Sequence, residues 1–176
     1  MFEHLAKWRA IVVSGPQRSG TTIAARMIAA DTGHRYIDEA EFGVHILAIW
    51  LRVVQDSRGV VVQCPGMSHR LCDIGTLDDV LVLWMLRPTS DILTSQRRIG
   101  WQDRQERRHY MRLTPLASEP DSAISDVKLD YWRSTQRARV AHWLELEYES
   151  LKEHPLWVPK EQRRRFTAKQ WRVDDE

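Results

Sequence analysis

A glycine-bounded stretch near the amino terminus has the residue types and spacing of a phosphate-binding loop. It reads Ser14-Gly15-Pro16-Gln17-Arg18-Ser19-Gly20-Thr21-Thr22. Its glycines and its final hydroxyl fit the pattern GxxxxGK[ST] except at the lysine position, where Thr21 stands. In such loops, backbone N–H groups converge on a phosphate at the positive end of the following helix. We therefore expect residues 15–22 to bind the phosphates of a nucleotide donor.

The missing lysine has to be replaced by a positive charge from elsewhere. Arg18 lies inside the loop and is the nearest candidate, so we predict a catalytic role for it in stabilising transferred charge. Arg87 follows an apolar strand pattern and is expected to point into the same crevice and bind phosphate, although a structural salt bridge explains it as well. Thr22 occupies the position whose hydroxyl binds Mg²⁺, if a metal is used.

Asp38 is the leading candidate for acid–base chemistry. Transfer of a phosphoryl or sulfuryl group to an alcohol needs a carboxylate that accepts the hydroxyl proton, and in kinases this carboxylate often contacts the metal. Glu39 and Glu41 lie in the same turn, and the sequence does not separate them from Asp38. Helix capping by Asp38, with Glu41 at the third helical position, is a competing interpretation that does not exclude catalysis.

Arginines are concentrated in residues 97–112. If this stretch is one helix, four of them share one side: Arg97, Arg104, Arg108 and Arg112. That side is either a solvated face or an anion clamp. With the proline-containing segment 114–122, which we predict to be a mobile loop, it forms a lid-like region over about 96–122. His69 is a weaker candidate for proton transfer, and Cys64 is read as a small core residue.

Apolar strand patterns alternate with helical patterns along the chain. Strands are predicted at 10–14, 34–37, 60–64, 80–86 and 144–148. Helices are predicted from Ser19 or Gly20 to Gly33, over 40–55, from Ser90 or Asp91, over 123–144 and from 160 to about 171. This alternation predicts one α/β domain over 1–176, a three-layer P-loop NTPase-like fold with a mainly parallel sheet and helices on both faces. The ligand crevice then lies at the carboxyl ends of the strands, near Asp38.

Composition limits the cellular setting and the partners. The chain has 176 residues, a net charge of +2 and no apolar run near the roughly 18 residues that a membrane span needs. Its first residues do not resemble a secretory signal, and its two cysteines do not form a disulfide framework. We expect a cytoplasmic protein, in the host cytoplasm if it is viral, with no membrane partner and no inferable protein partner. Clustered cations and eight tryptophans favour an anionic ligand that can stack.

One resemblance is to sulfotransferases. The loop GPQRSGTT resembles their 5′-phosphosulfate loop, which also lacks the lysine, and LRPTSDILTSQRR resembles their 3′-phosphate segment. This resemblance implies that Arg87 and Ser95 hold a 3′-phosphate. DYWRSTQ and LEYESLKEHP resemble their later helix and strand. The catalytic histidine of that family has no clear counterpart near residues 63–65, which moves the base role to Asp38, Glu39 or Glu41.

A second resemblance is to small phage P-loop kinases, grouped with thymidylate-kinase-like enzymes, that phosphorylate 5-hydroxymethyluracil within DNA. GPQRSGTT, YIDEAEFG, QCPGMSH and RPTSDILTSQRRIGW are similar to segments of that family. The resemblance implies ATP as donor, Mg²⁺, Asp38 as a metal-linked base and an arginine-rich lid. Clustered cations with Trp101 and Tyr110 would suit a DNA acceptor whose target base swings out of the stack.

The predicted function is therefore group transfer to a hydroxyl. The small chain and its cationic surface favour the DNA kinase. The missing lysine favours the alternative, a sulfotransferase that uses 3′-phosphoadenosine-5′-phosphosulfate. A second alternative is a nucleotide- or DNA-binding module without catalysis, since a degenerate loop can bind without transferring a group.

Overall fold

Five strands form one parallel sheet in the computed structural model, which describes residues 1–42, 46–74, 77–100 and 104–159. The strands are β1 (Ala10–Ser14), β2 (Arg35–Ile37), β3 (Val60–Gln63), β4 (Val80–Leu86) and β5 (Trp143–Glu147). Their order across the sheet is β2-β3-β1-β4-β5, and each neighbouring pair is parallel. The predicted parallel α/β architecture is confirmed.

Five α-helices accompany the sheet in the described part of the chain. They are α1 (Thr21–Thr32), α2 (Leu47–Asp56), α3 (Thr89–Ile99), α4 (Arg104–Tyr110) and α5 (Ile124–Tyr131). No helix in the described ranges is long and apolar enough to cross a membrane.

Successive side chains along the buried strands point alternately to the two faces of the sheet. The core is therefore divided into two clusters, one on each face, and helices cover both. Val12, Val82 and Trp84 face the cluster that contains Trp50 and Val54 of α2. The intervening residues of the same strands face the cluster that contains α1: Ile11, Val13, Leu83 and Met85. Successive side chains of a strand point to opposite faces, so apolar runs need covers on both sides. The prediction of helices on both faces is thus confirmed.

Helix boundaries differ from the predictions where a turn interrupts a periodic pattern. The helix predicted over 97–112 is wrong as one element, because α3 ends at Ile99 and Gly100 takes a left-handed conformation with φ of +72°. The helix predicted over 123–144 ends earlier, since α5 passes into a π turn and a 3₁₀ turn that ends at Arg139.

The predicted first turn of two helices also shifts. Residues 39–41 form a separate 3₁₀ turn, and α2 begins only at Leu47. The start of α3 lies at Thr89 with Pro88 as its N-cap, ahead of the predicted Ser90 or Asp91. Gly33 ends α1 as predicted, with φ of +71°. The helix predicted from residue 160 lies outside the described residues.

Arg9 joins three elements at the amino-terminal edge of the sheet. Its guanidinium donates to the carbonyl oxygens of Val54, Gln55 and Ser57 at 2.7–2.9 Å, which satisfies the last carbonyls of α2. It also forms a bidentate contact with the Asp79 carboxylate just before β4, in which Nε donates to Oδ2 at 2.6 Å and Nη2 donates to Oδ1 at 3.0 Å. The Arg9 side chain is only 9% exposed, whereas that of its partner Asp79 is 54% exposed.

We expect Arg9→Leu to lower the free energy of unfolding by about 2–4 kcal/mol, because several charge-assisted bonds to backbone carbonyls are lost together. Urea unfolding followed by circular dichroism measures the change. Arg58→Leu is the matched control, because Arg58 is exposed in the adjacent turn and should change stability by less than about 0.5 kcal/mol. Equal effects of the two substitutions would contradict this account of Arg9.

Candidate functional site

The glycine-bounded loop leaves the carboxyl end of β1, in the middle of the sheet, and turns directly into α1. Positive φ values occur at Gly15 (+143°), Arg18 (+73°) and Gly20 (+102°). Arg18 is the one non-glycine residue with positive φ in the described ranges. The Ser19 N–H closes a turn on the Pro16 carbonyl at 3.0 Å. Alternation between right- and left-handed backbone is typical of concave anion-binding nests.

Both glycines of the loop lie against neighbours that leave no room for a side chain. A Cβ on Gly15 would lie 3.0 Å from the Met85 carbonyl oxygen and 3.1 Å from Ser19 Oγ. A Cβ on Gly20 would lie 2.4 Å from the ring of Tyr148, which follows β5. The glycines therefore serve both the backbone conformation and the close approach of β4 and Tyr148.

Ser19 places a buried hydroxyl in the loop. The residue is fully buried, and its Oγ has no hydrogen-bond partner among the described residues. Buried hydroxyls are nearly always hydrogen-bonded in proteins, because an unmet bond costs free energy. A ligand oxygen that accepts from Ser19 would remove that cost.

Cations collect on the β4 side of the loop. Arg18 Nε donates to Ser95 Oγ of α3 at 3.2 Å, and Arg87 Nη1 donates to the Arg18 carbonyl oxygen at 2.8 Å. Burial, followed by the charges of Arg98 and Arg87, lowers the pKa of Arg18. Like charges this close repel one another, so a bound anion would stabilise the group. Arg18 and Arg87, both predicted to bind the donor, are thus brought together, and Ser95 joins them.

Arg87 is held by an aromatic ring instead of a carboxylate. Its guanidinium carbon lies 4.2 Å from the centre of the Tyr148 ring, a cation–π contact. Its Nε is buried and has no hydrogen-bond partner among the described residues. No ion pair joins Arg87 to another residue of the described ranges, so the salt-bridge interpretation of this arginine finds no support there.

A chain of hydrogen bonds through neutral side chains connects the opposite side of the loop to the Asp38 carboxylate. Gln63, the last residue of β3, donates from Nε2 to Thr21 Oγ1 at 3.3 Å. The Tyr36 hydroxyl lies 3.4 Å from Gln63 Oε1 and donates to Asp38 Oδ2 at 2.5 Å. Burial and the Asp38 carboxylate both raise the pKa of Tyr36, which keeps its proton on the phenol. The sequence reasoning did not identify Gln63 or Tyr36 as part of the site.

The three neighbouring carboxylates have separate structural roles. Asp38 Oδ1 accepts from the Ala40 N–H at 3.0 Å, and Glu41 Oε1 accepts from the Asp38 N–H at 2.9 Å. This reciprocal pair is a capping box, so the capping interpretation is confirmed. Glu39 accepts from the Gly66 N–H at 3.0 Å and thereby contacts the loop after β3. The catalytic role of Asp38 stays a prediction.

The predicted magnesium ligands lie on different elements. Thr22 is exposed on the first turn of α1, and Asp38 is half-buried after β2. The described residues contain no group of three His, Cys, Asp or Glu side chains arranged to hold a metal by themselves. Mg²⁺ in nucleotide sites usually binds one or two protein oxygens together with phosphates and water. Thr22 and Asp38 offer that smaller number of ligands, and metal binding there stays a prediction.

A buried lysine contacts the loop, and the sequence reasoning missed it. Lys128 of α5 is 1% exposed, and its Nζ donates to the side-chain Oε1 of Gln17. The helical periodicity of the sequence could have indicated that Lys128 is buried. Lys128 occupies a position in the buried stripe of α5 that also contains Ile124, Val127 and Tyr131. A lysine in an apolar stripe is rarely buried without a specific contact.

The arginine-rich region divides into exposed and internal members. Arg97, Arg98, Arg108 and Arg112 are exposed, and the side chain of Arg104 lies outside the described part. Arg107 instead donates to the carbonyl oxygens of Ala117 and Glu119 at 2.9 and 3.0 Å and to Ser122 Oγ at 3.0 Å. It therefore anchors the segment predicted to be a mobile loop, and lid motion stays a prediction.

His69 packs the loop after β3 against α4. Its ring is stacked on that of His109, with centroids 4.8 Å apart and an interplanar angle of 16°. Burial, and then the charges of His109, Arg70 and Lys128, lower the pKa of His69 to about 4. His69 is therefore neutral at physiological pH. Cys64 is fully buried as predicted, and burial raises the pKa of its thiol.

Comparisons with known proteins found structural likeness only. No family model matches the chain, and no curated protein matches it. A shikimate kinase from Acinetobacter baumannii in complex with shikimate is similar in structure, with a TM-score of 0.46 and 15% identity over 83% of this chain and 88% of that chain. A sugar kinase from Janibacter sp. HTCC2649 has a TM-score of 0.41 and 14% identity over 81% and 86%. At these values the likeness carries no argument about substrate.

We expect Gly20→Ala to destabilise the protein by about 2 kcal/mol more than Gly59→Ala, as measured by urea unfolding. Both glycines have positive φ, which penalises alanine at either site by about 1–2 kcal/mol. Only at Gly20 would the new Cβ overlap the Tyr148 ring, whereas Gly59 faces open space. Equal losses of stability in the two variants would show that the Tyr148 ring moves aside without an energetic cost.

The free energy of unfolding should fall as the pH falls from about 6.5 to 4. Over this range His69 is protonated in the unfolded state but stays neutral in the folded state. The effect is fully absent above the unfolded pKa of about 6.5 and complete below the folded value. Its size is on the order of 3 kcal/mol. His69→Phe keeps a stacked ring and should flatten this pH dependence, whereas replacement of the exposed His4 by Phe should not. Identical profiles of stability against pH for the wild type and His69→Phe would contradict the assignment of this effect to His69.

Proposed function

We propose that this protein is a phosphotransferase that transfers the terminal phosphate of ATP to a hydroxyl group. The observation that carries the proposal is the loop of residues 15–22, which follows a central parallel strand and opens α1. It combines a backbone of mixed handedness, a buried Ser19 hydroxyl without a described partner, and converging cations. Each of these features favours a bound phosphate chain.

The residues present fit a nucleotide and its magnesium ion. The Gly15 and Gly20 positions allow close approach to the backbone, and Ser19, Arg18 and Arg87 offer donors to phosphate oxygens. Thr22 and Asp38 would hold Mg²⁺. When bound, ATP supplies the phosphoryl group, and the metal offsets negative charge on the phosphates.

Asp38 would act on the acceptor. Its carboxylate would take the proton of the acceptor hydroxyl while that oxygen forms a bond to phosphorus and the bond to the leaving oxygen of ADP breaks. Tyr36 and the Ala40 N–H each bind one oxygen of Asp38, which fixes the orientation of the carboxylate. Arg18 would stabilise the charge on the transferred group from the β4 side of the loop.

The proposed acceptor is the hydroxyl of 5-hydroxymethyluracil in DNA, as a step in base hypermodification. Exposed arginines on α3 and after α4 support a polyanionic acceptor. Arg107 forms internal hydrogen bonds, whereas these arginines face solvent, where they can contact phosphates. DNA contacts of this kind weaken steeply as salt concentration rises. The cytoplasm, that of the host if the protein is viral, would supply both ATP and DNA.

A second candidate function is sulfuryl transfer from 3′-phosphoadenosine-5′-phosphosulfate. The observation that favours it is the hydrogen bond from Arg18 to Ser95, beside Arg87, because the resemblance to sulfotransferases places a second phosphate on Arg87 and Ser95. Thr21 at the lysine position is consistent with this donor as well.

Label transfer decides between the donors. We expect transfer from γ-labelled ATP to DNA that contains 5-hydroxymethyluracil, with a requirement for Mg²⁺ and no transfer to DNA that contains thymine. Turnover of 3′-phosphoadenosine-5′-phosphosulfate without transfer from ATP would replace the first function by the second. DNA or nucleotide binding without transfer from either donor would indicate a binding module.

Asp38→Asn is the sharpest variant for the transfer step. Asparagine caps helices as well as aspartate does, so the capping contacts and the melting temperature should be kept. Loss of the proton acceptor should lower kcat by about 10²–10⁴-fold. Unchanged transfer by a folded Asp38→Asn protein would remove Asp38 from the catalytic role and leave it a cap.

A further inference from the structure

Lys128 brings a positive charge to the loop from a helix that is distant in sequence. The residue is 1% exposed, and its ammonium donates to Gln17 Oε1 in the loop. The charge of Lys128 also contributes to the lowered pKa of His69, which lies in the loop after β3. The ammonium therefore lies at the loop of residues 15–22, near enough to His69 for its charge to act there.

The helix that carries Lys128 is fixed on both sides of it. Asp126, two residues earlier, accepts a hydrogen bond from Thr89 at the start of α3. Asp130, two residues later, accepts one from Thr114 after α4. These contacts hold the register of α5, so the ammonium is presented to the loop from a rigid support.

Thr21 occupies the position at which an ordinary phosphate loop carries a lysine. Its hydroxyl accepts from Gln63 at the end of β3, so the position that usually carries lysine makes a neutral contact. Lys128 reaches the loop at Gln17, four residues earlier. A lysine in this loop normally contacts the terminal phosphates of the donor.

We propose that Lys128 supplies from α5 the ammonium that the loop lacks at Thr21, and that it binds the phosphates of the donor. This inference rests on the proposed phosphate-binding function of the loop. The contact with the neutral Gln17 side chain orients the ammonium toward the loop. A donor phosphate at the loop would then meet Lys128 as well as Arg18.

A purely structural role makes a different prediction. If Lys128 only holds neighbouring elements together, a second lysine elsewhere in the loop cannot replace it. If Lys128 binds phosphate, charge is what matters. A lysine introduced at Thr21 should then restore binding to the Lys128→Met protein, although it rebuilds no contact with Gln17.

The test measures the affinity of the full-length protein for inorganic tripolyphosphate with Mg²⁺, by isothermal titration calorimetry. We expect Lys128→Met to weaken binding about 10- to 100-fold, in line with the loss of a charge-assisted contact. Thr21→Lys should recover most of the loss in the Lys128→Met background. Lys152→Met is the matched control, because Lys152 is exposed and paired with Glu149.

Each outcome has a defined meaning. Wild-type affinity in a folded Lys128→Met protein, or a loss in Lys128→Met that Thr21→Lys does not recover, overturns the inference and leaves the proposed function standing. No binding of tripolyphosphate by the wild-type protein overturns both. If Lys128→Met does not fold, Lys128→Arg and Lys128→Gln replace it. The arginine variant must then bind at least about 10-fold more tightly than the glutamine variant.

Discussion

The close approach of the Tyr148 ring to the glycine-bounded loop of residues 15–22 is the contact on which the site depends. One edge of the ring meets Gly20, where a single added Cβ would overlap it, and the guanidinium of Arg87 lies over the ring. The order β1-β4-β5 places the carboxyl ends of three adjacent strands side by side, so each strand delivers one of these residues. Arg87 in turn donates to the Arg18 carbonyl, which couples the ring to the shape of the loop. Loop conformation and arginine position are therefore set together.

Charge is distributed unequally around the loop. Arg18 and Arg87 lie on the β4 side and Lys128 approaches from α5, whereas the β3 side presents the neutral chain from Thr21 to Asp38. Because partly buried charges interact more strongly than exposed ones, this arrangement directs anionic groups toward one side and leaves a carboxylate on the other. Such a division suits a reaction in which a charged donor and a hydroxyl acceptor meet at the loop. It is common to both proposed donors, which explains why the fold alone does not choose between them.

Features that depend on neighbouring residues were predicted well from the sequence. The loop, the three buried strands β1, β3 and β4 and the glycine that ends α1 follow from local patterns of apolar residues and turn residues. The capping box at Asp38 was also readable, because its two partners are three residues apart. The error over residues 97–112 has a local cause too. Helical periodicity continued through Gly100, and a left-handed residue broke the helix without a change in that pattern.

The amino-acid sequence by itself determined the phosphate-loop pattern, the missing lysine and the parallel α/β class, because short-range periodicity and turn chemistry encode them. Only the tertiary structure decided which residues complete the site. Lys128 lies 111 residues from Gln17, and Tyr148 and Gln63 reach the loop through the order of the strands. Burial of Lys128 in an apolar stripe and the neutral partner of Thr21 are consequences of packing between distant elements. A sequence pattern records residue types and spacing, but it does not record which distant side chains share one buried space.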